Sequence, residues 1–317
     1  MKNTITLSSY AKINLSIDVG RPDPETGMHP VDMIMQQVSL SDTVRIDLSD
    51  CGEDEEDRIS LSCSKPFLPT DERNLAWRAA ALMRETFADH PEVRRSRIHI
   101  DIQKRIPVAA GLAGGSGNAA AVIHGLNTMW RLGLSLREIC DLCARLGSDI
   151  PFTACGQARR NYVLPRKVRK DPLAVSCMHA TGTGTLLTPV RPLKAAVVLA
   201  KPPISVSTAS VYKGIDSCEI PARPENGLLA EALARGDREA AEAQMINVLE
   251  NYTLAAEPQV AALKALMEES CAGAGKVLMS GSGPTVFALF RDREDAVKAG
   301  KALRHRKYET YWCQTTI

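Results

Sequence analysis

The sequence predicts a mixed fold of β-strands and α-helices divided into two domains. Stretches with the two-residue period of a β-strand, such as Arg97–Ile102, are interspersed with stretches of helical period, such as Asn118–Leu132. The composition changes near Pro189–Pro192, so we expect one domain over residues 1–190 and a second over residues 191–317. A chain of 317 residues is long enough to bury a core.

The composition excludes several classes of protein. A hydrophobic content of 44% and a charged content of 24% are typical of a globular protein. A formal net charge of +2 and an aromatic content of 4% do not favour nucleic-acid binding. No apolar run approaches the length of a membrane span, and the first residues enter strand-like alternation without a signal-peptide core. We therefore expect a cytoplasmic protein.

The nine cysteines do not predict a metal site. Cys140 and Cys143 form the one close pair, and neither a second pair nor a histidine at ligand spacing accompanies them. Free thiols in a reducing compartment are the better interpretation.

The N-terminal residues predict strands with one polar face. Ile5–Val19 alternates well enough for one or two strands, and Lys12 and Asn14 then face the same way. A turn-rich loop follows over Gly20–Pro30. An apolar run follows at Met33–Leu40. The patterns then predict two short strands, Thr43–Leu48 and Ile59–Cys63, on either side of the acidic loop Asp50–Asp57. An amphipathic helix is predicted at Leu75–Phe87.

A loop of small residues, Pro107–Asn118, separates the strand at Arg97–Ile102 from the helix that follows. Such a loop can bind phosphate, because glycines let the backbone N–H groups approach an anion and the helix dipole adds positive charge. It is neither a P-loop nor a dinucleotide-binding fingerprint. A flexible turn, or close packing of the helix on its sheet, is the alternative.

Two further features follow this helix. Ser135 and Glu138 form a capping box that opens a second helix, which we expect to end at Gly147 in left-handed conformation. Asp149 then precedes Pro151, where it is either the cap of a short helical turn or a carboxylate beside the phosphate loop. Residues 157–179 are rich in arginine and lysine and poor in apolar periodicity, so we expect a mobile basic loop or an insertion.

The C-terminal residues predict a second set of strands and helices. A strand at Ala195–Ala200 precedes a strand–glycine turn–strand unit over Gly275–Phe290. The helical and remaining strand patterns cover residues 226–236, 238–251, 258–271, 294–303 and 308–313.

Three motifs in fixed order carry a family resemblance: Ala11–Leu15 (Ala-Lys-Ile-Asn-Leu), Pro107–Asn118, and Met279–Phe287 (Met-Ser-Gly-Ser-Gly-Pro-Thr-Val-Phe). Leu146–Pro151 and Pro203–Tyr212 add to them. The chain resembles the GHMP small-molecule kinases, and most nearly those that act on a cytidine diphosphate-linked methylerythritol in the non-mevalonate isoprenoid pathway. The resemblance covers nearly the whole chain except residues 157–179.

The resemblance implies a GHMP kinase fold of two α+β domains with the active site in the cleft between them. The N-terminal domain would resemble ribosomal protein S5 domain 2, and the C-terminal domain would be ferredoxin-like. The implied reaction is ATP-dependent phosphorylation of the 2-hydroxyl of the substrate. Asp149 would be the general base, with Lys12 as its partner.

The resemblance also implies the binding residues. The ATP phosphates, with Mg²⁺ bound through them, would contact the residues of the loop: Pro107, Val108, Ala109, Ala110, Gly111, Leu112, Ala113, Gly114, Gly115, Ser116 and Gly117. The substrate would contact eight residues: Asn14, Met28, His29, Thr208, Tyr212, Gly281, Ser282 and Gly283. The expected partner is this small molecule, without nucleic acid or membrane, in a monomer or homodimer.

Two positions depart from the family pattern. Met28 stands where the family usually has tyrosine, and Gly117 stands where it usually has a second serine. Two alternative functions therefore remain open: a kinase of a mevalonate-type or homoserine-type alcohol, and a non-catalytic relative that binds nucleotide or a partner through its basic loop. Retention of both Lys12 and Asp149 argues against the second, because a binding module has no use for this pair.

Overall fold

The computed structural model describes residues 3–51, 58–306 and 308–317. The strands of these residues are β1 (Thr4–Val19), β2 (Val31–Asp50), β3 (Ile59–Cys63), β4 (Ser96–Gln103), β5 (Cys177–Thr181), β6 (Leu186–Pro189), β7 (Ala196–Lys201), β8 (Lys276–Met279), β9 (Val286–Phe290) and β10 (Glu309–Gln314). The helices are α1 (Leu75–Thr86), α2 (Pro91–Arg94), α3 (Gly114–Met129), α4 (Leu136–Ala144), α5 (Ile150–Arg160), α6 (Arg166–Arg169), α7 (Thr208–Ile215), α8 (Asn226–Arg235), α9 (Arg238–Ala243), α10 (Glu250–Ala256), α11 (Pro258–Ser270) and α12 (Arg293–His305).

The structure contains two compact units, each built from three segments of the chain. The first unit comprises Met1–Ala11, Ser41–Ile106 and Ala113–Val175, and the second comprises Lys12–Leu40, Pro107–Leu112 and Ser176–Ile317.

In the first unit, the second half of β2 pairs antiparallel with β4, which pairs parallel with β3. Helix α3 lies at the centre of this unit, because its small residues Ala119–Ala121 and the larger Val122 and Ile123 are fully buried. It packs against α1 and α5.

In the second unit, β7, β8, β9 and β10 form an antiparallel sheet in the order β10-β7-β9-β8. Every residue of β9 is buried, and helices α11 and α12 pack against this sheet. The first half of β2 pairs with β5 in the same unit, with Met33 opposite Ala180. Burial of apolar side chains from both strands and helices accounts for this mixed α+β architecture.

Several predicted boundaries are wrong. Helix α3 begins at Gly114 rather than Asn118, so the glycines of the predicted loop form its first turn. Helix α4 ends at Ala144, and Gly147 is not among the left-handed glycines. The predicted short strand Thr43–Leu48 is longer than expected, because it joins the apolar run Met33–Leu40 in one strand, Val31–Asp50. The helix expected over 238–251 is divided into α9 and α10.

Residues 157–179 do not form a loop. Helix α5 extends to Arg160, and helix α6 and strand β5 follow. Leu164, Val168 and Ala174 are buried there, because these short elements place single apolar side chains in the core without a periodic pattern. The predicted acidic loop Asp50–Asp57 lies mostly outside the described residues.

Candidate active site

Lys12 lies on β1 with its ammonium group inside the protein. Lys12 is 4% exposed, and its Nζ donates a hydrogen bond to Asn14 Oδ1 at 2.6 Å. Asn14 is fully buried, and its Nδ2 contacts Met33 Sδ at 3.4 Å. The two residues therefore share one face of the strand, as their spacing predicts. A buried cation acts strongly on nearby charge because little water screens it.

The glycine turn between β8 and β9 lies beside this lysine. A Cβ atom added at Gly281 would lie 3.6 Å from Lys12 Nζ and 3.2 Å from the carbonyl oxygen of Gly111. Gly281 and Gly283 have φ angles of 59° and 85°, which favour glycine. This close backbone approach requires glycine at both positions.

The end of the predicted phosphate loop meets the same turn. Ser280 Oγ donates to the carbonyl oxygen of Gly111 at 3.0 Å, and the N–H group of Lys12 donates to that of Leu112 at 3.1 Å. A Cβ atom at Gly111 would lie 2.2 Å from the carbonyl oxygen of Ser280. Three motifs that are far apart in the sequence thus contact one another within the second unit.

The loop that presents Met28 and His29 is held by Asp23. Asp23 Oδ1 accepts hydrogen bonds from the backbone N–H group of Thr26 at 2.8 Å and from its hydroxyl at 2.9 Å. These bonds lower the pKa of Asp23. Gly27 completes the turn at a φ of 69°, and Met28 is 53% exposed.

His29 and Tyr212 lie together. Their ring centroids are 5.5 Å apart with an interplanar angle of 70°, an edge-to-face contact. His29 Nε2 is 2.8 Å from Asp216 Oδ1. One turn earlier on α7, Thr208 Oγ1 lies 3.0 Å from Ser282 Oγ, so this helix contacts the glycine turn as well. Two aromatic rings and a row of hydroxyl groups can bind a base and a polar substrate.

The loop leading into α3 has an unusual backbone. Ala109, Gly111 and Ala113 have φ angles of 49°, 69° and 55°. Left-handed residues at every second position turn successive N–H groups toward one side, and such concavities bind anions. The first N–H groups of α3 have no partner within the helix, which adds to the same property.

Small residues are required in the first turn of α3. A Cβ atom at Gly117 would lie 2.6 Å from Ser9 Oγ, and one at Gly114 would lie 3.0 Å from Ile106 Cγ2. Gly115 has room, because the nearest atom would be Leu75 Cδ1 at 3.7 Å. Packing thus explains why Gly114 and Gly117 are glycines, whereas it does not explain the glycine at position 115.

Asp149 occupies the N-cap position of α5, and its side chain makes no capping hydrogen bond. The capping interpretation of this residue is therefore not supported. Asp149 belongs to the first unit and Lys12 to the second.

Sequence reasoning missed a buried polar network at the start of the loop. Lys104 Nζ forms an ion pair with Asp42 and donates to Asn118 Oδ1 at 3.2 Å. Asp42 Oδ1 also accepts from the N–H groups of Arg105 at 2.7 Å and Ile106 at 2.9 Å. This network fixes the chain just before Pro107. Asp42 sits in a strand with no motif around it, so no sequence signal indicates it.

Among residues 3–51, 58–306 and 308–317, no group of three or more histidine, cysteine or acidic side chains could hold a metal ion. No helix in this part of the chain is both long enough and apolar enough to cross a membrane.

Comparison with known proteins gives a consistent result. The family described as GHMP kinases N terminal domain matches residues 74–157, and GHMP kinases C terminal matches residues 229–310. A 4-diphosphocytidyl-2-C-methyl-D-erythritol kinase from Alkaliphilus metalliredigens is 41% identical over 314 residues, covering 98% of this chain and 96% of its own. Another from Geobacillus kaustophilus is 43% identical over 288 residues, covering 90% and 88%. The crystal structure of a 4-(cytidine 5'-diphospho)-2C-methyl-D-erythritol kinase is 27% identical with a TM-score of 0.74, covering 99% of this chain and all of that one.

Proposed function

The chain belongs to the GHMP kinases, and from this we propose that it transfers the γ-phosphoryl group of ATP to the 2-hydroxyl of 4-diphosphocytidyl-2-C-methyl-D-erythritol. The products are ADP and the 2-phosphate, an intermediate of the non-mevalonate route to isopentenyl diphosphate. The names of relatives that cover almost the whole chain support this substrate. The observation that carries the proposal is the buried Lys12 ammonium beside the Gly281 turn, since phosphoryl transfer needs positive charge at a fixed point.

Asp149 and Lys12 have separate roles in this proposal. Asp149 accepts the proton of the attacking hydroxyl as general base. Lys12 offsets the negative charge that develops on the transferred group. Asn14 holds the ammonium in place through its 2.6 Å hydrogen bond.

ATP is bound without a P-loop lysine. The left-handed residues Ala109, Gly111 and Ala113, and the first turn of α3, supply backbone N–H groups for its phosphates. Mg²⁺ would accompany ATP and would be held through the phosphates. When bound, it neutralises phosphate charge.

The substrate is recognised at both ends. The cytosine base is held by His29 and Tyr212, with Met28 covering its other face. Asn14, Thr208 and the turn Gly281–Gly283 border the rest of the molecule. We also propose a cytoplasmic site of action, because nine free cysteines are typical of a reducing compartment. Monomer or homodimer stays a prediction.

An assay that couples ADP release to NADH oxidation tests the proposal. The purified chain is supplied with ATP, Mg²⁺ and 4-diphosphocytidyl-2-C-methyl-D-erythritol, with mevalonate and homoserine as parallel substrates. We expect turnover with the cytidine compound alone. Turnover with mevalonate or homoserine instead would assign another alcohol substrate, and no turnover with any of the three would support the non-catalytic alternative.

A further inference from the structure

The amide side chain of Asn247 makes two hydrogen bonds to the glycine turn beside Lys12. Asn247 Nδ2 donates hydrogen bonds to the carbonyl oxygens of Met279 and Gly281, both at 2.8 Å. Its Oδ1 accepts from the N–H group of Leu249 at 3.0 Å, which fixes the orientation of the amide. Asn247 is 2% exposed, so water does not compete for these bonds.

Asn247 is also tied to the strand that carries Lys12 and Asn14. Next to it, the N–H group of Val248 donates to the carbonyl oxygen of Ile17 at 3.0 Å, and the N–H group of Ile17 donates to that of Ile246 at 2.9 Å. Ile17 and Asn247 thus form a parallel bridge at the edge of β1. One residue therefore connects the lysine strand to the glycine turn.

Helix α10 adds two contacts from the same side. Thr253 Oγ1 donates to the carbonyl oxygen of Ser282 at 3.3 Å, and Glu250 Oε1 accepts from the N–H group of Met279 at 2.7 Å. Together, Asn247, Glu250 and Thr253 bind backbone groups of Met279, Gly281 and Ser282. Of these, Gly281 lies beside Lys12 Nζ.

We propose that Asn247, supported by Thr253, is a positioning residue that sets the place of the Gly281–Gly283 turn against the Lys12 ammonium and so determines how the alcohol substrate binds. The inference rests on the proposed function for its kinetic readout. Gly281 and Gly283 carry no side chains that could hold the turn, so the hydrogen bonds from Asn247 and Thr253 help to fix its backbone. A small displacement of a positioning group is enough to impair binding and catalysis.

Asn247→Asp is the sharpest test. The replacement keeps the size and the Oδ1 acceptor, but it presents a carboxylate oxygen to two carbonyl oxygens in place of two N–H donors. We expect KM for the alcohol substrate to rise roughly tenfold while KM for ATP stays unchanged. Thr253→Val should also raise KM for the alcohol substrate, but by less than Asn247→Asp does. Thr253→Ser keeps the hydroxyl and should have the wild-type KM.

Asn251→Asp is the matched control. It makes the same chemical change four residues along, where Nδ2 donates to the carbonyl oxygen of Val248 at 2.8 Å and, among the described residues, makes no hydrogen bond to the turn. A merely structural role for Asn247 predicts a lower kcat with both KM values unchanged, because the folded fraction would retain a normal site. Such a result, or an unchanged KM for the alcohol in a folded Asn247→Asp protein, overturns the proposal.

Amide hydrogen exchange over residues 279–285 tests, without an activity assay, whether Asn247 holds the glycine turn in place. Exchange should accelerate in Asn247→Asp and stay at the wild-type rate in Asn251→Asp. If the wild-type chain shows no turnover while exchange changes as expected, the proposed function fails and the positioning of the turn stands. If the wild type is active and exchange does not change, the positioning inference alone is overturned.

Discussion

At the scale of the residue, Asp149 is the assignment with the largest kinetic consequence. Asparagine has the size of aspartate and is equally suited to the N-cap position that Asp149 occupies on α5, so Asp149→Asn should not unfold the protein. We expect kcat to fall about 10²–10⁴-fold, because the amide cannot accept the hydroxyl proton, while KM for ATP is retained. Lys12→Met should lower kcat similarly. Steady-state kinetics in both substrates measures these effects.

Asp141→Asn is the control for this prediction, since Asp141 is an exposed carboxylate on α4 and should leave kcat at the wild-type value. Near-normal kcat in a folded Asp149→Asn enzyme contradicts the role as base. A Lys12→Met enzyme that changes only KM for the alcohol would make Lys12 a binding residue.

Met28 is the residue at which recognition of the base can be improved. It is 53% exposed beside His29, which contacts the Tyr212 ring, so a larger side chain has room there. A ring stacked on a base contributes roughly 1–3 kcal/mol, whereas a thioether over a ring contributes about 0.3–1.5 kcal/mol. Met28→Tyr should therefore lower KM for the cytidine substrate several-fold and leave KM for ATP unchanged.

Tyr212→Ala should have the opposite effect and raise KM for the cytidine substrate alone. If Met28→Tyr leaves this KM unaltered, the base is bound elsewhere in the protein. Loss of binding in Met28→Tyr would instead favour a substrate other than a cytidine compound.

Sequence reasoning at this scale succeeds where one strand or one motif supplies the geometry. The shared face of Lys12 and Asn14 follows from a spacing of two, and the structure confirms it through their 2.6 Å hydrogen bond. The ion pair of Asp42 with Lys104 joins residues 62 positions apart, so no local pattern could indicate it. Asn247 was missed for the same reason, because its partners are 32 and 34 positions away.

At the scale of the element, periodicity located most helices and strands but not the start of α3. The predicted start at Asn118 is wrong because Gly114–Gly117 has no apolar side chains from which a helical period could be recognised. The capping box of Ser135 and Glu138 is confirmed, since both reciprocal hydrogen bonds are present. Capping chemistry is local, and it could therefore be read from four residues.

The true start of α3 makes Gly115 the cleanest probe of phosphate binding. A Cβ atom added there would lie 3.7 Å from Leu75 Cδ1, an ordinary van der Waals contact, so Gly115→Val should not lower stability. The helix propensity of valine also exceeds that of glycine by about 0.4 kcal/mol. The new side chain would obstruct the approach of phosphate to the N–H groups of the first turn. We expect KM for ATP to rise at least about tenfold at an unchanged melting temperature.

Gly227→Val is the matched control, because Gly227 also lies in the first turn of a helix, α8, with no atom within 4 Å of an added Cβ. It should leave KM for ATP unchanged. Gly114→Val is a poorer test, since its Cβ would lie 3.0 Å from Ile106 Cγ2 and would disturb packing. Unaltered ATP binding in Gly115→Val would remove this turn from the nucleotide site.

At the scale of the whole molecule, the α+β class and the membership of the GHMP kinases were predictable because the motifs occur in order along the chain. The family matches at residues 74–157 and 229–310 lie on either side of the predicted boundary between 190 and 191, which stays a prediction. The compact units could not be predicted, because each combines segments that are distant in sequence.

The stability of the molecule should depend on pH through His124. His124 lies on α3 and its side chain is buried. Its Nε2 donates a hydrogen bond to the carbonyl oxygen of Ala154 at 2.9 Å, and its Nδ1 has no hydrogen-bond partner among the described residues. Burial lowers the pKa of His124 from 6.5 to about 4, so the folded protein keeps the ring neutral. The unfolded chain binds a proton more readily between these two values, and the free energy of unfolding therefore falls as pH decreases through this window.

Near pH 4 the decrease in the free energy of unfolding that is caused by His124 approaches about 3 kcal/mol. Urea unfolding at about pH 7 and about pH 4.5 measures it in the wild type and in His124→Gln, which keeps an amide donor but does not titrate. The variant should lose less stability between the two conditions, whatever its absolute stability. His305→Gln, at an exposed histidine of α12, is the control and should follow the wild type. Equal pH dependence in wild type and His124→Gln would show that acid unfolding is governed by other groups, such as the carboxylates of Asp47 and Glu138, whose pKa values are lowered by their hydrogen bonds.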